Sequence, residues 1–322
     1  MPDRIPHTIP PQVVFPQPLA DPGDPRLKHR IQQWDGGAAD AVLVGMPFDH
    51  GVLLNHGRPG AAEGPTAFRQ ALMRVGATYD GNYQVDFDHL QLADVGDVAV
   101  VPEDVATSHD RLTAVVETVL AAGAVAVVIG GGHDATFATV RALQHQWPAC
   151  GGLNVDAHLD MREVVAGRIT SGTPYRRILE ELHVPGENLV ELGLHGGVNS
   201  RQHLEYAAKQ RVACHTAGRL NDTGWRKVCE RELDRLAGPV AGLFVSIDLD
   251  VFPAAHAPGV SAPGLEGPTP AEGRQLANLA GCNPKVRLFE LMELNPKFDI
   301  DERTARLAAS LLAAFLAGLA AR

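Results

Sequence analysis

The sequence predicts a three-layer α/β/α protein, in which a mostly parallel central sheet lies between two layers of helices. Apolar runs rich in Val, Ile and Leu alternate with longer segments of helical periodicity, the pattern of a parallel sheet covered on both faces. The strand-like runs contain few polar residues, as expected of strands that are buried on both sides. The chain of 322 residues, 45% of them hydrophobic, is long enough to bury one full core.

The predicted strands are short apolar runs with Gly, Pro or charged residues near their ends. In chain order they are 41–48, 124–132, 151–158, 187–196, 241–252 and 286–296. The predicted helices are longer segments between them, and the first begins with Gly64 and Pro65, a residue pair that suits a helix start. In chain order they are 64–76, 111–123, a helix within 171–184, 225–238, 269–281 and 303–321.

Residues 1–37 are rich in proline and are predicted to form an extended N-terminal segment. From residue 38 to residue 322 the strand–helix alternation continues without an internal repeat or a low-complexity linker. A single α/β domain over 38–322 is therefore the simplest interpretation.

Composition excludes several classes of protein. The net charge of -10 argues against a nucleic-acid-binding protein, which usually carries a basic patch. The four cysteines form no CxxC pair, so neither a disulfide framework nor a zinc–thiolate site is indicated. The apolar run 307–321 is shorter than the ~20 residues that a membrane span needs, and we interpret it as a buried or oligomer-facing helix. The N-terminus lacks the apolar core of a signal peptide, so we expect a cytoplasmic protein.

Charged side chains follow four of the predicted strands. The segments are GGGHD with His133, DAHLD with Asp156, His158 and Asp160, SIDLD with Asp248 and Asp250, and MELNP with Glu293. Alternate residues of an extended segment point to the same face, so each aspartate pair is expected to share a face. The carboxyl ends of parallel strands meet at one edge of the sheet, which is where ligands bind in such folds.

Each of these residues also has an ordinary structural explanation. A lone histidine in a loop or an aspartate at a turn is common without any ligand. However, burying four aspartates beside one another is costly unless cations offset their charge. Two imidazoles and four carboxylates suit a divalent ion of intermediate hardness, and they exceed what one ion usually takes. The sequence therefore predicts two metal ions, which together can activate a water molecule.

These motifs resemble those of the ureohydrolases, the family of arginase, agmatinase and formimidoylglutamase, from about residue 41 to the C-terminus. The resemblance implies an arginase-like α/β/α fold and two Mn²⁺ ions. It implies that one ion takes His133, Asp156, Asp160 and Asp248, and that the other takes Asp156, His158, Asp248 and Asp250. It also implies a homo-oligomer, a trimer or a hexamer.

Further motifs resemble formimidoylglutamases most. These are NHGRPGAAEGP (55–65), SGTPYR (171–176), DVFPAAHAPGVSAPG (250–264) and ELNPKFDIDERTARLAA (293–309). The resemblance implies hydrolysis of N-formimidoyl-L-glutamate to L-glutamate and formamide, a step of histidine breakdown. Ser171 stands where arginases have a proton-shuttling histidine and where agmatinases have the histidine of a His-Gly-Thr-Pro motif, which favours this subfamily.

Five residues are predicted to act on the substrate. Arg162 could bind a carboxylate bidentately, although a salt bridge of its guanidinium to Glu163 or to a metal-ligand carboxylate is an equally good interpretation. Glu293 ends an apolar strand and could pair with a planar amidinium cation. Ser171 and Asn199 are placed in the pocket on weaker grounds. Asp160 and Glu293 are the predicted catalytic residues, Asp160 as the group that moves a proton to the leaving nitrogen.

Three alternatives remain open at this point. The first is the same chemistry on a guanidino substrate, as in agmatinase, guanidinobutyrase or arginase, with urea as the product. The second is a catalytically silent binding protein of the same fold, which the complete ligand set disfavours. The third is a histone-deacetylase-like amidohydrolase, which would use one metal and a His-His pair that GGGHD does not contain. If the protein is an enzyme, we expect its partner to be a small amidine or guanidine substrate. We expect it to bind neither nucleic acid nor a membrane.

Overall fold

The computed structural model describes residues 5–16 and 23–322. Its strands, numbered in chain order, are β1 (Thr8–Ile9), β2 (Ile31–Gln33), β3 (Ala41–Gly45), β4 (Tyr79–Asp80), β5 (Val85–Asp86), β6 (Leu92–Val98), β7 (Val125–Ile129), β8 (Cys150–Val155), β9 (Leu189–Leu194), β10 (Ala213–Thr216), β11 (Gly242–Asp248) and β12 (Val286–Met292). Its α-helices are α1 (His50–Leu54), α2 (Gly64–Leu72), α3 (Val105–Ala121), α4 (Thr136–Gln146), α5 (Pro174–Glu180), α6 (Arg201–Lys209), α7 (Ala217–Thr223), α8 (Trp225–Ala237), α9 (Pro270–Cys282) and α10 (Arg303–Ala320).

The central sheet has the strand order β1-β6-β3-β7-β12-β11-β8-β9-β10, and β2 also pairs with β6. Within the described residues, every pairing of this sheet is parallel except that of β1 with β6. One apolar cluster lies between the sheet and the layer of α2, α8, α9 and α10, and a second lies between the sheet and α3, α4 and α5. The predicted three-layer fold is confirmed.

Strand β6 was not predicted from the sequence. Its residues LADVGDV carry two aspartates and a glycine, which interrupt the apolar run that marks the other strands. All seven residues are nevertheless buried, because Arg69 of α2 binds Asp94 at 2.7 Å and Asp97 at 2.6 Å. The other elements that were not predicted are helices α1, α4, α6 and α7 and strands β1, β2, β4, β5 and β10.

Two short strands precede residue 38. β1 and β2 pair with opposite ends of β6, and Leu27, Ile31 and Trp34 are buried in the core. Residues 1–4 and 17–22 of the predicted extension lie outside the described residues. The division of the chain into an extension of 1–37 and a domain of 38–322 stays a prediction.

Helix α10 explains the apolar run near the C-terminus. It is long and apolar enough to meet the length and composition criteria for a membrane span, but 78% of its apolar window is buried inside the molecule. It packs on α9 through a glycine pair, since a Cβ on Gly281 would lie 2.1 Å from the Phe315 carbonyl oxygen and one on Gly318 would lie 2.2 Å from that of Asn278. Its apolar character is therefore accounted for by packing within the core.

Candidate metal centre

The predicted charged residues converge at the carboxyl edge of four adjacent strands. His133 follows β7, the aspartates of DAHLD follow β8, Asp248 ends β11, and Glu293 follows β12. Glycines bring the backbone of the GGGHD loop close to its neighbours, since a Cβ on Gly131 would lie 1.8 Å from the Phe48 carbonyl oxygen. The local sequence thus allows a tight turn that places His133 over the centre of this edge.

His133 forms the middle of a first group of donors. Its Nδ1 lies 3.1 Å from an oxygen of Asp156, 3.2 Å from one of Asp160 and 3.0 Å from one of Asp248. This buried nitrogen has no hydrogen bond of acceptable geometry. The nitrogen and the three oxygens therefore surround a common point, as the ligands of a cation do.

A second group shares Asp156 with the first. His158 Nδ1 lies 3.6 Å from Asp156 Oδ1 and 3.1 Å from Asp250 Oδ2. The donor atoms within each group all lie within 4.8 Å of one another. The structure therefore brings together all six predicted metal ligands, in two adjoining groups. In contrast to the ligand set implied by the resemblance, Asp248 joins only the first of them.

The electrostatics of the six residues favour bound cations. Burial, together with Asp250 and Asp156, raises the pKa of Asp248 well above its usual value. Burial also raises the pKa of Asp250 to about 6, although the neighbouring His158 lowers it. The like charges thus destabilise one another's ionised forms, an effect that divalent cations reverse. Oxygen and imidazole donors without thiolates suit Mn²⁺, so the residues present fit a binuclear manganese site.

Glu293 lies beside this centre but outside both ligand groups. Its side chain is buried, and its Oε1 accepts a hydrogen bond from the His133 backbone N–H at 2.9 Å. Burial and the neighbouring Asp248 raise the pKa of Glu293 to about 8. The carboxylate faces the same pocket as the metal ligands, so it is placed to pair with a cationic substrate group.

A cavity of about 350 Å³ opens from the metal ligands to the surface. Its lining includes all the predicted substrate-binding residues: Arg162, Ser171, Asn199 and Glu293. It also includes residues to which the sequence analysis gave no role, among them His203 and Ser261. His203 lies in α6, outside every motif identified in the sequence, whereas Ser261 lies in the DVFPAAHAPGVSAPG segment, whose resemblance did not single it out.

The family comparison decides among the predicted classes. The model of the arginase family matches residues 39–318. The chain belongs to the arginase family. A curated formimidoylglutamase of Aromatoleum aromaticum is 36% identical over 290 residues, which cover 84% of this chain and 81% of the relative. The human mitochondrial guanidino acid hydrolase is 30% identical over 286 residues, which cover 87% of this chain and 78% of the relative.

Solved structures of arginase-family members agree with this assignment. Trypanosoma cruzi formiminoglutamase with Mn²⁺ is 34% identical and superposes with a TM-score of 0.87, covering 93% of this chain and 99% of that one. The predicted family and the arginase-like fold are therefore confirmed. The roles assigned to individual site residues stay predictions.

Among the predicted substrate contacts, Arg162 of this arginase-family chain is the one with an available positive charge. Glu163, its predicted alternative partner, instead binds Arg176 at 3.1 Å. Within the described residues, Arg162 forms no ion pair with any carboxylate. Its stem packs on Gly172, where a Cβ would lie 2.7 Å from Arg162 Cδ. The glycine of the SGTP segment therefore leaves room for an arginine at the mouth of the pocket.

Asn199 and Ser171 are engaged by the protein itself. The side chain of Asn199 accepts a hydrogen bond from the Leu159 N–H and donates one to the Ala157 carbonyl, both at 2.9 Å. Its amide thus fixes the backbone of the DAHLD loop. Ser171 Oγ accepts a hydrogen bond from Asn55 at 3.1 Å. A direct contact of either residue with substrate stays a prediction.

Proposed function

We propose that this arginase-family hydrolase converts N-formimidoyl-L-glutamate and water to L-glutamate and formamide, a reaction of histidine breakdown. The observation that carries the choice of substrate is the unpaired guanidinium of Arg162 at the mouth of the metal-lined pocket. Formimidoylglutamate ends in two carboxylates, either of which an arginine can bind through two parallel hydrogen bonds. The curated formimidoylglutamase relatives support the same substrate.

The metal ligands would be His133, Asp156, Asp160 and Asp248 for one ion and Asp156, His158 and Asp250 for the other. Two divalent ions at this position supply Lewis acidity, which activates water and polarises the amidine carbon.

The chain's own residues then orient the substrate and move its protons. Glu293 pairs with the amidinium nitrogens and holds the planar group against the metal edge. Water adds to the amidine carbon, and the bond from that carbon to the glutamate nitrogen breaks. Asp160, whose side chain is slightly exposed to the pocket, takes the proton of the attacking water and transfers it to the departing amine.

A second substrate class has support of its own. The human relative is a guanidino acid hydrolase, and its substrates by that name carry both a guanidino group and an acid. Arg162 would serve such a carboxylate as well, and the product would then be urea. Agmatine is disfavoured, because its far end is an amine that Arg162 would repel.

Product analysis separates these possibilities. The purified protein is stripped of metal, reloaded with Mn²⁺ and supplied with N-formimidoyl-L-glutamate, 4-guanidinobutyrate, L-arginine or agmatine. We expect formamide from the first substrate and little urea from the others. Urea from a guanidino acid would reject the formimidoyl assignment while retaining the hydrolase.

The role of Arg162 is tested by substitution. We expect Arg162→Gln to raise the KM for formimidoylglutamate roughly 10- to 100-fold with a smaller change in kcat, because a charge-assisted hydrogen-bond pair is lost. Arg201→Gln is the matched control, since Arg201 is exposed on α6 and pairs with Glu205 at the surface. An unchanged KM in Arg162→Gln would remove the argument for a carboxylate-bearing substrate.

Two further properties belong to the proposal. We infer a cytoplasmic enzyme, in keeping with the free state of all four cysteines. We also infer a homo-oligomer, a trimer or a hexamer, as the family resemblance implies. Sedimentation of the purified protein tests the second point.

A further inference from the structure

A row of buried polar residues crosses the sheet one step below the metal ligands. The strand registers pair Glu290 of β12 with Ser246 of β11, Ser246 with Asn154 of β8, and Asn154 with Glu191 of β9. All four side chains are fully buried. Ser246 and Asn154 each lie two residues before an aspartate ligand, so they share a face with those ligands.

The two inner members of this row contact the metal ligands. Ser246 Oγ lies 3.1 Å from Nε2 of His133, on the side of the ring opposite Nδ1. Asn154 Nδ2 donates to Asp156 Oδ2 at 3.2 Å. Ser246 therefore contacts His133 on the side of the ring that faces away from the first donor group, and Asn154 contacts the Asp156 oxygen that lies nearest His133 Nδ1.

The two outer members contact the inner ones. Asn154 Nδ2 also donates to Glu191 Oε2, at 2.8 Å. Glu290 lies beside Ser246 in register and accepts a hydrogen bond from Thr136 at 3.0 Å. Burial raises the pKa of Glu290, and the hydroxyls of Thr139, Thr136 and Ser246 lower it in part. Each half of the row is thus a chain of contacts that ends in a buried carboxyl group.

The position of the row indicates a role in the metal centre rather than in the stability of the sheet. Beyond Glu290 the same register continues through Val128 of β7 and Val44 of β3, both apolar. The polar layer is centred on β11 and β8, the two strands that lead into the aspartate ligands, and its outer members lie on β12 and β9. Asn154 Oδ1 and Glu191 Oε1 are buried without a hydrogen-bond partner within the described residues. Buried polar atoms without a partner lower the stability of the folded state, whereas apolar side chains in the same places would not. The stability of the sheet therefore does not explain why these residues are polar.

We propose that Ser246 and Asn154 are positioning residues for the metal centre, and that Glu290 and Glu191 hold them in place. When Nδ1 of His133 binds a cation, the proton of the neutral ring is on Nε2 and is donated to Ser246 Oγ. The hydroxyl proton of Ser246 then points to Glu290. This arrangement fixes both the tautomer and the ring plane of His133. This proposal rests on the metal centre of the proposed function and does not depend on which substrate the protein hydrolyses.

Metal binding tests this proposal without reference to turnover. The Mn²⁺ dissociation constants and stoichiometry of metal-free protein are measured by equilibrium dialysis, and low-temperature EPR distinguishes a coupled ion pair from single ions. Because loss of an outer-sphere partner typically costs 10- to 100-fold in affinity, we expect roughly that loss in Ser246→Ala and in Asn154→Ala. Ser246→Thr, which keeps the hydroxyl, is expected to retain most of the affinity.

Ser108→Ala is the matched control. Ser108 is equally buried, but among the described residues its hydroxyl bonds only to the backbone of Val101, in the layer of α3. This variant loses a buried hydroxyl and is expected to bind Mn²⁺ within about threefold of the wild type, which is far less than the loss typical of an outer-sphere partner. Wild-type affinity in both Ser246→Ala and Asn154→Ala would overturn the proposal, as would an equal loss in Ser108→Ala. Failure of the wild type to bind Mn²⁺ would instead overturn the metal centre itself.

Discussion

Glu293 has a backbone φ of 65°, in the left-handed region that side chains other than glycine rarely adopt. The conformation is held by a hydrogen bond from the Glu293 N–H to the Gly131 carbonyl at 2.9 Å. It turns the chain sharply at the end of β12 and directs the carboxylate to the pocket. Asp160 has a φ of 47° in the same region. Both predicted catalytic residues thus occupy unfavourable backbone conformations, as residues at functional sites often do.

The carboxylate of Glu293 is expected to act on the substrate and not on the metals. Glu293→Gln keeps the shape of the side chain but removes the charge that pairs with an amidinium. We expect kcat/KM to fall by about 10²-fold, the cost of a misplaced reacting group, while two Mn²⁺ ions stay bound. Steady-state kinetics and metal analysis of the same sample check this. Loss of an ion would show instead that Glu293 supports the metal centre.

At the scale of single residues, the sequence predicted which side chains come together at the edge of the sheet. The period of two in DAHLD and SIDLD places donors on one face, and the parallel strands bring both segments to one edge. The same period also marks Asn154 and Ser246, which were missed because an amide and a hydroxyl inside an apolar strand carry no charge signal. Contacts that depend on loop conformation, such as the amide of Asn199 against Ala157 and Leu159, could not be predicted from spacing.

At the scale of elements, β6 shows how a strand with two acidic residues is retained in a buried sheet. Arg69 donates to both oxygens of Asp94 and to Asp97, and its side chain is only 2% exposed. The apolar pattern predicted the neighbouring strands because their side chains need no partner. It failed at β6 because the partner comes from a helix more than twenty residues away.

Removing the arginine leaves two carboxylates buried without a counter-charge. We expect Arg69→Met to lower the free energy of unfolding by about 3–5 kcal/mol, the usual cost of breaking a buried ion pair from one side. Urea denaturation measures it. Arg74→Met is the matched control, because Arg74 is exposed and its pair with Glu302 lies at the surface, where it contributes ~1 kcal/mol or less. Equal effects in the two variants would contradict this account of β6.

At the scale of the whole molecule, the metal centre connects four strands of the sheet and is expected to stabilise the entire fold. Each ion present at 100 times its dissociation constant adds about 2.7 kcal/mol to the free energy of unfolding. Chelation should therefore abolish activity and lower the Tm, and added Mn²⁺ should restore both. Thermal melts across a Mn²⁺ titration test this expectation.

Asp156→Asn is the control for this titration, because Asp156 belongs to both ligand groups. Its Tm should respond little to Mn²⁺. A Tm that rises equally in this variant and in the wild type would show that the stabilisation comes from ions bound elsewhere.

The strand order also determines when the metal centre can form. β12 lies between β7, which leads to His133, and β11, which ends in Asp248, although it follows both in sequence. β7 and β11 are therefore joined through β12, so the ligands that follow them come together only after residues 286–292 have paired with both strands. Such non-local pairing is slow, because the chain must close long loops before the contacts form. We therefore expect metal capture to be a late event of folding, so that binding of two Mn²⁺ ions would indicate that the strands around the centre have paired.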